Sequence, residues 1–244
     1  MQNPPPRASF GFSNQHRNAA LLIGQHECDG CIFADLTLND NYRQACSLTS
    51  GRNILFVNCQ FLNTGMTGGT APQAGVDFEP NGPADYLVNV TLRNCSAKNN
   101  VGGGFFLSYS NLNNNSEPVS IVFDECSVDG QHGDFNYGLY AYALPGYPDN
   151  KTTAVNGSIH WRGGSIGGTL NSAIAMSVPL SSGLTVLIEN VAVNGSAVRS
   201  SGEYATSPIL VGVSNLRPCP PTASTAARHL RRPACCLIAF SPRL

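Results

Sequence analysis

Short alternations of apolar and polar residues recur along this chain, separated by glycine, asparagine and proline. In Gly75-Val76-Asp77-Phe78 and similar stretches the apolar side chains fall at every second position, the period of a strand with one buried face. The 25 glycines and runs such as Asn111-Leu112-Asn113-Asn114-Asn115 leave little room for helices of ordinary length. The pattern predicts strands and turns throughout.

One segment repeats: Phe33-Ala34-Asp35-Leu36-Thr37-Leu38, Phe56-Val57-Asn58-Cys59-Gln60-Phe61, Leu92-Arg93-Asn94-Cys95-Ser96-Ala97, Phe123-Asp124-Glu125-Cys126-Ser127-Val128, Trp161-Arg162-Gly163-Gly164-Ser165-Ile166 and Ile188-Glu189-Asn190-Val191-Ala192-Val193. Its fourth positions fall at 36, 59, 95, 126, 164 and 191, an irregular period of solenoid size. Between these segments a small residue precedes a second alternating strand at Ala45-Cys46-Ser47-Leu48, Gly75-Val76-Asp77-Phe78, Gly104-Phe105-Phe106-Leu107, Gly138-Leu139-Tyr140-Ala141 and Ala173-Ile174-Ala175-Met176. Each coil thus holds at least two strands, and Cys46/Leu48, Val76/Phe78, Phe105/Leu107, Leu139/Ala141 and Ile174/Met176 form one inward column.

The predicted fold is all-β, a right-handed parallel β-helix. A β-sandwich or jelly roll also supplies short strands and glycine-rich turns, but it does not explain repeated motifs. In a solenoid like residues stack at about 4.8 Å per coil, which accounts for Cys59, Cys95 and Cys126 at one position and Asn58, Asn94 and Asn190 at its neighbour. These cysteines read as buried thiols. Residues 18–213 form the predicted β-helix. Residues 1–17 are an incomplete amino-terminal segment, because no cap precedes the first strand at Ala20-Leu21-Leu22-Ile23. Residues 214–244, rich in Pro, Arg and Cys and lacking Lys, Asp and Glu, are expected to be disordered or mis-predicted.

Composition narrows the partners. A net charge of −1 and the lack of a basic stripe through residue 213 argue against nucleic acid. No apolar run reaches the roughly 20 residues of a membrane helix, so no membrane partner is expected, and a monomer is. The amino terminus has no signal-peptide pattern, yet Asn-x-Ser/Thr triplets at Asn89, Asn94, Asn114, Asn150, Asn156 and Asn194 point to a secreted, extracellular chain. Those at Asn89 and Asn94 fall in a predicted strand with little room for a glycan. Cys28-x-x-Cys31 has no second CxxC or His pair nearby to complete a zinc site, and a local disulfide suits a secreted protein. No metal or other cofactor is expected, with a structural or catalytic calcium left open.

The stretches Asn39-Asp40-Asn41-Tyr42-Arg43-Gln44 and Thr70-Ala71-Pro72-Gln73-Ala74-Gly75-Val76-Asp77-Phe78-Glu79-Pro80-Asn81 resemble right-handed β-helix repeat proteins of the pectate-lyase-like superfamily, over roughly Asn18 to Val213. The resemblance implies a polysaccharide partner and a polysaccharide lyase, uronate epimerase or glycoside hydrolase, although many members have no known activity. Gly75-Val76-Asp77 is similar to part of a strand motif of alginate C5-epimerases, but Ala74 stands where those have Tyr and Phe78-Glu79 where they have Pro-His. The polygalacturonase pattern is missing, since Asn63-Thr64 is followed by Gly65 and no Asp-Asp pair occurs.

Function in such a fold sits on the outward face. Alternation points Asp77 and Glu79 outward together, roughly 6.6 Å apart along the strand, with Ser47 and Thr49 on one flank, Phe106 and Ser108 on the other, and Tyr140 and Tyr142 two rungs away. For a lyase or C5-epimerase on an acidic, uronic-acid polysaccharide, the first expectation, the candidate catalytic residues are Asp77, Glu79, Arg43, His132 and Tyr140. Arg43 would neutralise the substrate carboxylate, and His132 or Tyr140 would serve as base. Asp40, Gln44, Phe106 and Tyr142 are the candidate substrate-binding residues. A non-catalytic glycan-binding or adhesion module and a glycoside hydrolase using Asp77 and Glu79 are the alternatives. Each residue also has a plainer reading as surface charge, turn residue or strand aromatic.

Overall fold

The computed structural model describes residues 19–24, 28–130, 132–133, 136–142, 155–178, 183–195 and 209–213. The predicted amino-terminal segment and the Pro/Arg/Cys-rich tail lie outside these residues. The described chain winds in coils of three strands. The first holds β1 (Ala19–Ile23), β2 (Ile32–Ala34) and β3 (Thr37–Asn39), and the second β4 (Gln44–Leu48), β5 (Gly51–Val57) and β6 (Gln60–Leu62). The third coil holds β7 (Ala74–Phe78), β8 (Leu87–Arg93) and β9 (Ser96–Lys98), and the fourth β10 (Phe105–Ser108), β11 (Val119–Asp124) and β12 (Ser127–Asp129). The fifth holds β13 (Leu139–Tyr142), β14 (Gly157–Arg162) and β15 (Ser165–Gly167), the sixth β16 (Ile174–Val178), β17 (Leu184–Glu189) and β18 (Ala192–Asn194), and β19 (Ile209–Val213) opens a seventh.

Every strand pairs in parallel with its counterpart one coil away. The first sheet stacks seven strands in the order β1-β4-β7-β10-β13-β16-β19, and the second and third stack six each. The molecule is a right-handed parallel β-helix, as the two repeats predict; right-handed crossovers are nearly universal between parallel strands.

The inward column of the first sheet is the predicted one. Cys46, Val76, Phe105, Leu139 and Ile174 lie in register, and Leu21 extends the column by one coil. All six are buried. The second sheet adds Phe33, Phe56, Leu92, Phe123, Trp161 and Ile188 at one level. Aromatic rings meet across this interior, Phe123 stacking on Trp161 with centroids 5.0 Å apart and Phe105 lying 4.9 Å from Phe123. Burying such rings contributes more than area alone, because offset and edge contacts are favourable.

The small residue ahead of each first-sheet strand has a steric cause. A Cβ placed on Gly75 would press on Ala97, and one on Gly104 would meet Val128 at 2.6 Å. Ala97 and Val128 are inward residues of the third sheet, so the chain passes that corner with no side chain of its own to spare.

The recurring asparagines mark a turn. Asp35, Asn58, Asn94, Glu125 and Asn190 have φ between 51° and 57°, the left-handed region that asparagine and aspartate tolerate best among non-glycine residues. Stacked coils also link their side chains: Asn94 Nδ2 donates to Asn58 Oδ1 at 2.8 Å, and Asn58 Nδ2 to Asp35 Oδ1 at 3.0 Å. A second ladder runs from Asn89 Nδ2 to Asn53 Oδ1 at 2.8 Å and from Asn53 Nδ2 to Asp29 Oδ1 at 2.7 Å. Asn89 and Asn94 are exposed while the middle residues of their triplets, Val90 and Cys95, are buried, and the amide nitrogen a glycan would use is already donating to a neighbour.

One position beyond each such turn, Cys59, Cys95 and Cys126 are buried free thiols, as expected. Cys59 Sγ donates to the Phe33 carbonyl at 3.4 Å and Cys126 Sγ to that of Leu92 at 3.3 Å. The Cys126 thiol and burial push Cys95 up to about 12 against the opposing effect of Cys59, so it stays protonated and inert. Cys28 and Cys31 are joined as a disulfide, and the described residues contain no His/Cys/Asp/Glu group fit to hold a metal ion.

Candidate functional site

The outward residues of the first sheet form two rows. Ser47, Asp77, Phe106, Tyr140 and Ala175 are in register in one. One step further along the strands, Ser108 pairs with Tyr142, and Thr49 and Glu79 continue that second row, Glu79 N donating to the Leu48 carbonyl at 3.0 Å. The sequence-derived neighbourhood is thus correct in register, but its exposure needs correction. Asp77 is only 2% exposed and Phe106 3%, so the first row is largely covered and cannot offer two carboxylates to solvent together. Alternation gives the face on which a side chain stands and says nothing of what overlies that face.

Glu79, at 31% side-chain exposure, is the accessible acid, and Arg43, at 28%, is its partner. Arg43 Nη2 donates to Glu79 Oε2 at 3.2 Å and Nε to the Ala71 carbonyl at 2.9 Å. The turn before β4 therefore delivers its guanidinium onto the next coil. Asp77 sits beneath them. Burial first, then the charge of Glu79 and a hydrogen bond between the two carboxyls, push it well above the usual carboxylate range, and Arg43 only partly opposes this. Burial beside a second carboxylate therefore favours the neutral form of Asp77.

Tyr142, half-buried, completes the second row. Burial raises its phenol above the ordinary value against the effect of a hydrogen bond with Ser108, with Asp77 and Glu79 adding to the rise. Tyr140 is wedged between two other rings, 4.8 Å from both Tyr137 and Tyr142, with Phe106 edge-on at 5.5 Å. Both of its faces are taken, which leaves no room for a sugar to stack on it. The outer members of the stack, Tyr137 and Tyr142, hold whatever aromatic face remains. Tyr137 is missing from the sequence-derived site, and the spacing of Tyr137, Tyr140 and Tyr142 is the signal for it; Ser108 lies on the flank where alternation places it.

The remaining candidates lie apart. Asp40 occupies the turn that closes β3, with φ of 57°, and accepts a hydrogen bond from Thr67 Oγ1 at 3.0 Å. Gln44, 1% exposed, is buried beside Ala74, out of reach of a substrate. His132 is exposed, and its amide donates to the Asn100 carbonyl at 3.0 Å. Among the described residues no hydrogen bond or ion pair joins it to Asp77, Glu79 or Arg43. The loop residue Asp134 lies outside the described residues.

A second charged cluster stands on the second sheet, where Asp124 pairs with Arg162 at 2.9 Å and Arg93 at 3.1 Å. The Arg162 hydrogen bond chiefly holds its carboxyl below the usual range. The three groups satisfy one another across coils and read as a surface staple.

No protein-family model, curated protein or solved structure matches this chain.

Proposed function

We propose that the protein recognises polysaccharide along the outer face of its first sheet and that the Asp77–Glu79 pair gives this face acid–base capacity. The observation that carries the reading is the convergence of Arg43, Asp77, Glu79 and Tyr142 on one stretch of sheet. A parallel stack presents hydrogen-bonding groups at the roughly 4.8 Å spacing of its coils, a linear track suited to an extended polymer. The resemblance to pectate-lyase-like β-helix proteins agrees with this on fold analogy alone.

The reaction is less constrained than the surface. Elimination or C5-epimerisation of a uronate needs a cation on the substrate carboxylate, and Arg43 is already held by Glu79 and Ala71. Hydrolysis by two carboxylates needs both to flank the scissile bond, about 5–5.5 Å apart for retention or about 6.5–9.5 Å for inversion, whereas Asp77 is only 2% exposed. These points favour glycan recognition first and leave acid–base catalysis as the second reading, supported by the position of a buried Asp77 with a raised pKa beside Glu79.

Incubating the purified chain with a panel of polysaccharides separates the outcomes. Unsaturated ultraviolet-absorbing ends from acidic polymers indicate a lyase, new reducing ends without absorbance a hydrolase, and retention without turnover a binding module. If turnover is found, Asp77→Asn should abolish it while the fold survives. Full activity in both Asp77→Asn and Glu79→Gln would move the site off this strand.

A further inference from the structure

Granting that the first-sheet face binds glycan, we infer that it selects uncharged sugars over acidic ones and that Glu79 is the residue that sets this preference. The partly exposed members of the second row are Thr49, Glu79 and Tyr142, two hydroxyl-bearing side chains and one carboxylate, with Ser108 buried between Glu79 and Tyr142. Its one guanidinium, Arg43, spends Nη2 on Glu79 and Nε on a backbone carbonyl. The other described cations, Arg52, Arg93, Lys98 and Arg162, stand on strands of the second and third sheets. A uronate on this row would have to share Arg43 with Glu79 or displace it, and either way would set a second negative charge beside Glu79.

Hydroxyl groups of a neutral sugar meet no such obstacle. Thr49 Oγ1, which donates to the Ile23 carbonyl at 3.3 Å, keeps its lone pairs for a sugar hydroxyl, the half-buried Tyr142 phenol offers a second polar group, and the ion pair can hydrogen-bond to sugar hydroxyls without being broken. Discrimination therefore rests on a repulsive element, Glu79, in addition to the attractive row.

The arrangement predicts a switch. Removing the Glu79 charge leaves Arg43 uncompensated at the same place, so Glu79→Gln should convert a neutral row into a cationic one. Affinity electrophoresis of the full chain in gels containing xylan or mixed-linkage β-glucan, set against polygalacturonate or alginate, reads this directly. The unmutated protein should be retarded by a neutral polymer and not by the polyuronates at low salt. Glu79→Gln should gain polyuronate retardation by roughly tenfold in apparent affinity, about 1.4 kcal/mol, and lose the gain as salt is raised. Thr49→Lys, which adds a cation to the row without touching the acid pair, should gain likewise and serves if Glu79→Gln fails to fold.

Stronger retardation of the unmutated chain by polyuronate than by neutral polymer would overturn the selectivity while leaving the glycan face standing. Folded variants that gain nothing on polyuronate would overturn it too. No retardation by any of the four polymers, for any of the proteins, would overturn both the glycan reading and the selectivity built on it.

Discussion

At the scale of single residues, the two informative positions are an asparagine in a turn and a carboxyl in the site. Asn94 holds φ of 51° and donates to Asn58. Asn94→Ala should cost about 1–2 kcal/mol in urea unfolding, because alanine resists the left-handed conformation, and Asn94→Gly should cost less, since only the ladder bond is lost. Equal costs would mean that the bond, not the backbone, matters there. For Asp77 the folded-state pKa is raised, so between its unfolded value near 4 and the raised value the native state binds the extra proton. Stability must then fall as pH climbs through that window. The melting temperature of Asp77→Asn, plotted against that of the parent from pH 4 upward, should show the parent losing ground progressively; superimposable slopes would contradict the burial-driven shift.

At the scale of the strand and turn, the columns explain which parts were legible in the sequence. The inward column at Cys46, Val76 and Phe105 follows from period two alone, and the stacking of asparagines follows from their fixed offset, but the turn does not: Asn94 falls in a predicted strand, whereas β8 ends at Arg93 and Asn94 has φ of 51°. The covering of Asp77 and Phe106 did not follow, because burial of an outward face depends on overlying groups that no periodicity encodes. The Arg43–Glu79 pair is not legible either, since the two residues stand 36 apart in sequence. Gln44 and Asp40 were drawn into the site by adjacency to Arg43, although strand geometry buries one and the turn employs the other. Two substitutions probe the column itself. Phe105→Asp would bury an unpaired charge among Phe123 and Trp161 and should abolish cooperative folding; an unchanged melting temperature would remove Phe105 from the core. Gly104→Ala should cost about 1–3 kcal/mol by overpacking against Val128.

At the scale of the whole molecule, stability is a sum over neighbouring coils, since each coil packs on the next and has no other partner along the axis. The thiol column runs through that stack, so Cys46, Cys59, Cys95 and Cys126 should resist alkylation in native protein and react together on unfolding, as read by mass spectrometry of the labelled peptides. Early labelling of Cys95 alone would expose a weak point between coils. The same register has an architectural consequence. Ser127 N donates to the Cys95 carbonyl at 2.9 Å, and Ser127 lies in register with Ser96. Excising residues 96–126 would therefore let the chain step from Cys95 straight onto the next floor of the same staircase, bringing Asp77 beside Tyr140. Removing one residue from the middle of β11 instead would turn half a strand inside out. This molecule should thus tolerate a change in length of one whole turn of the staircase more readily than a change of one amino acid.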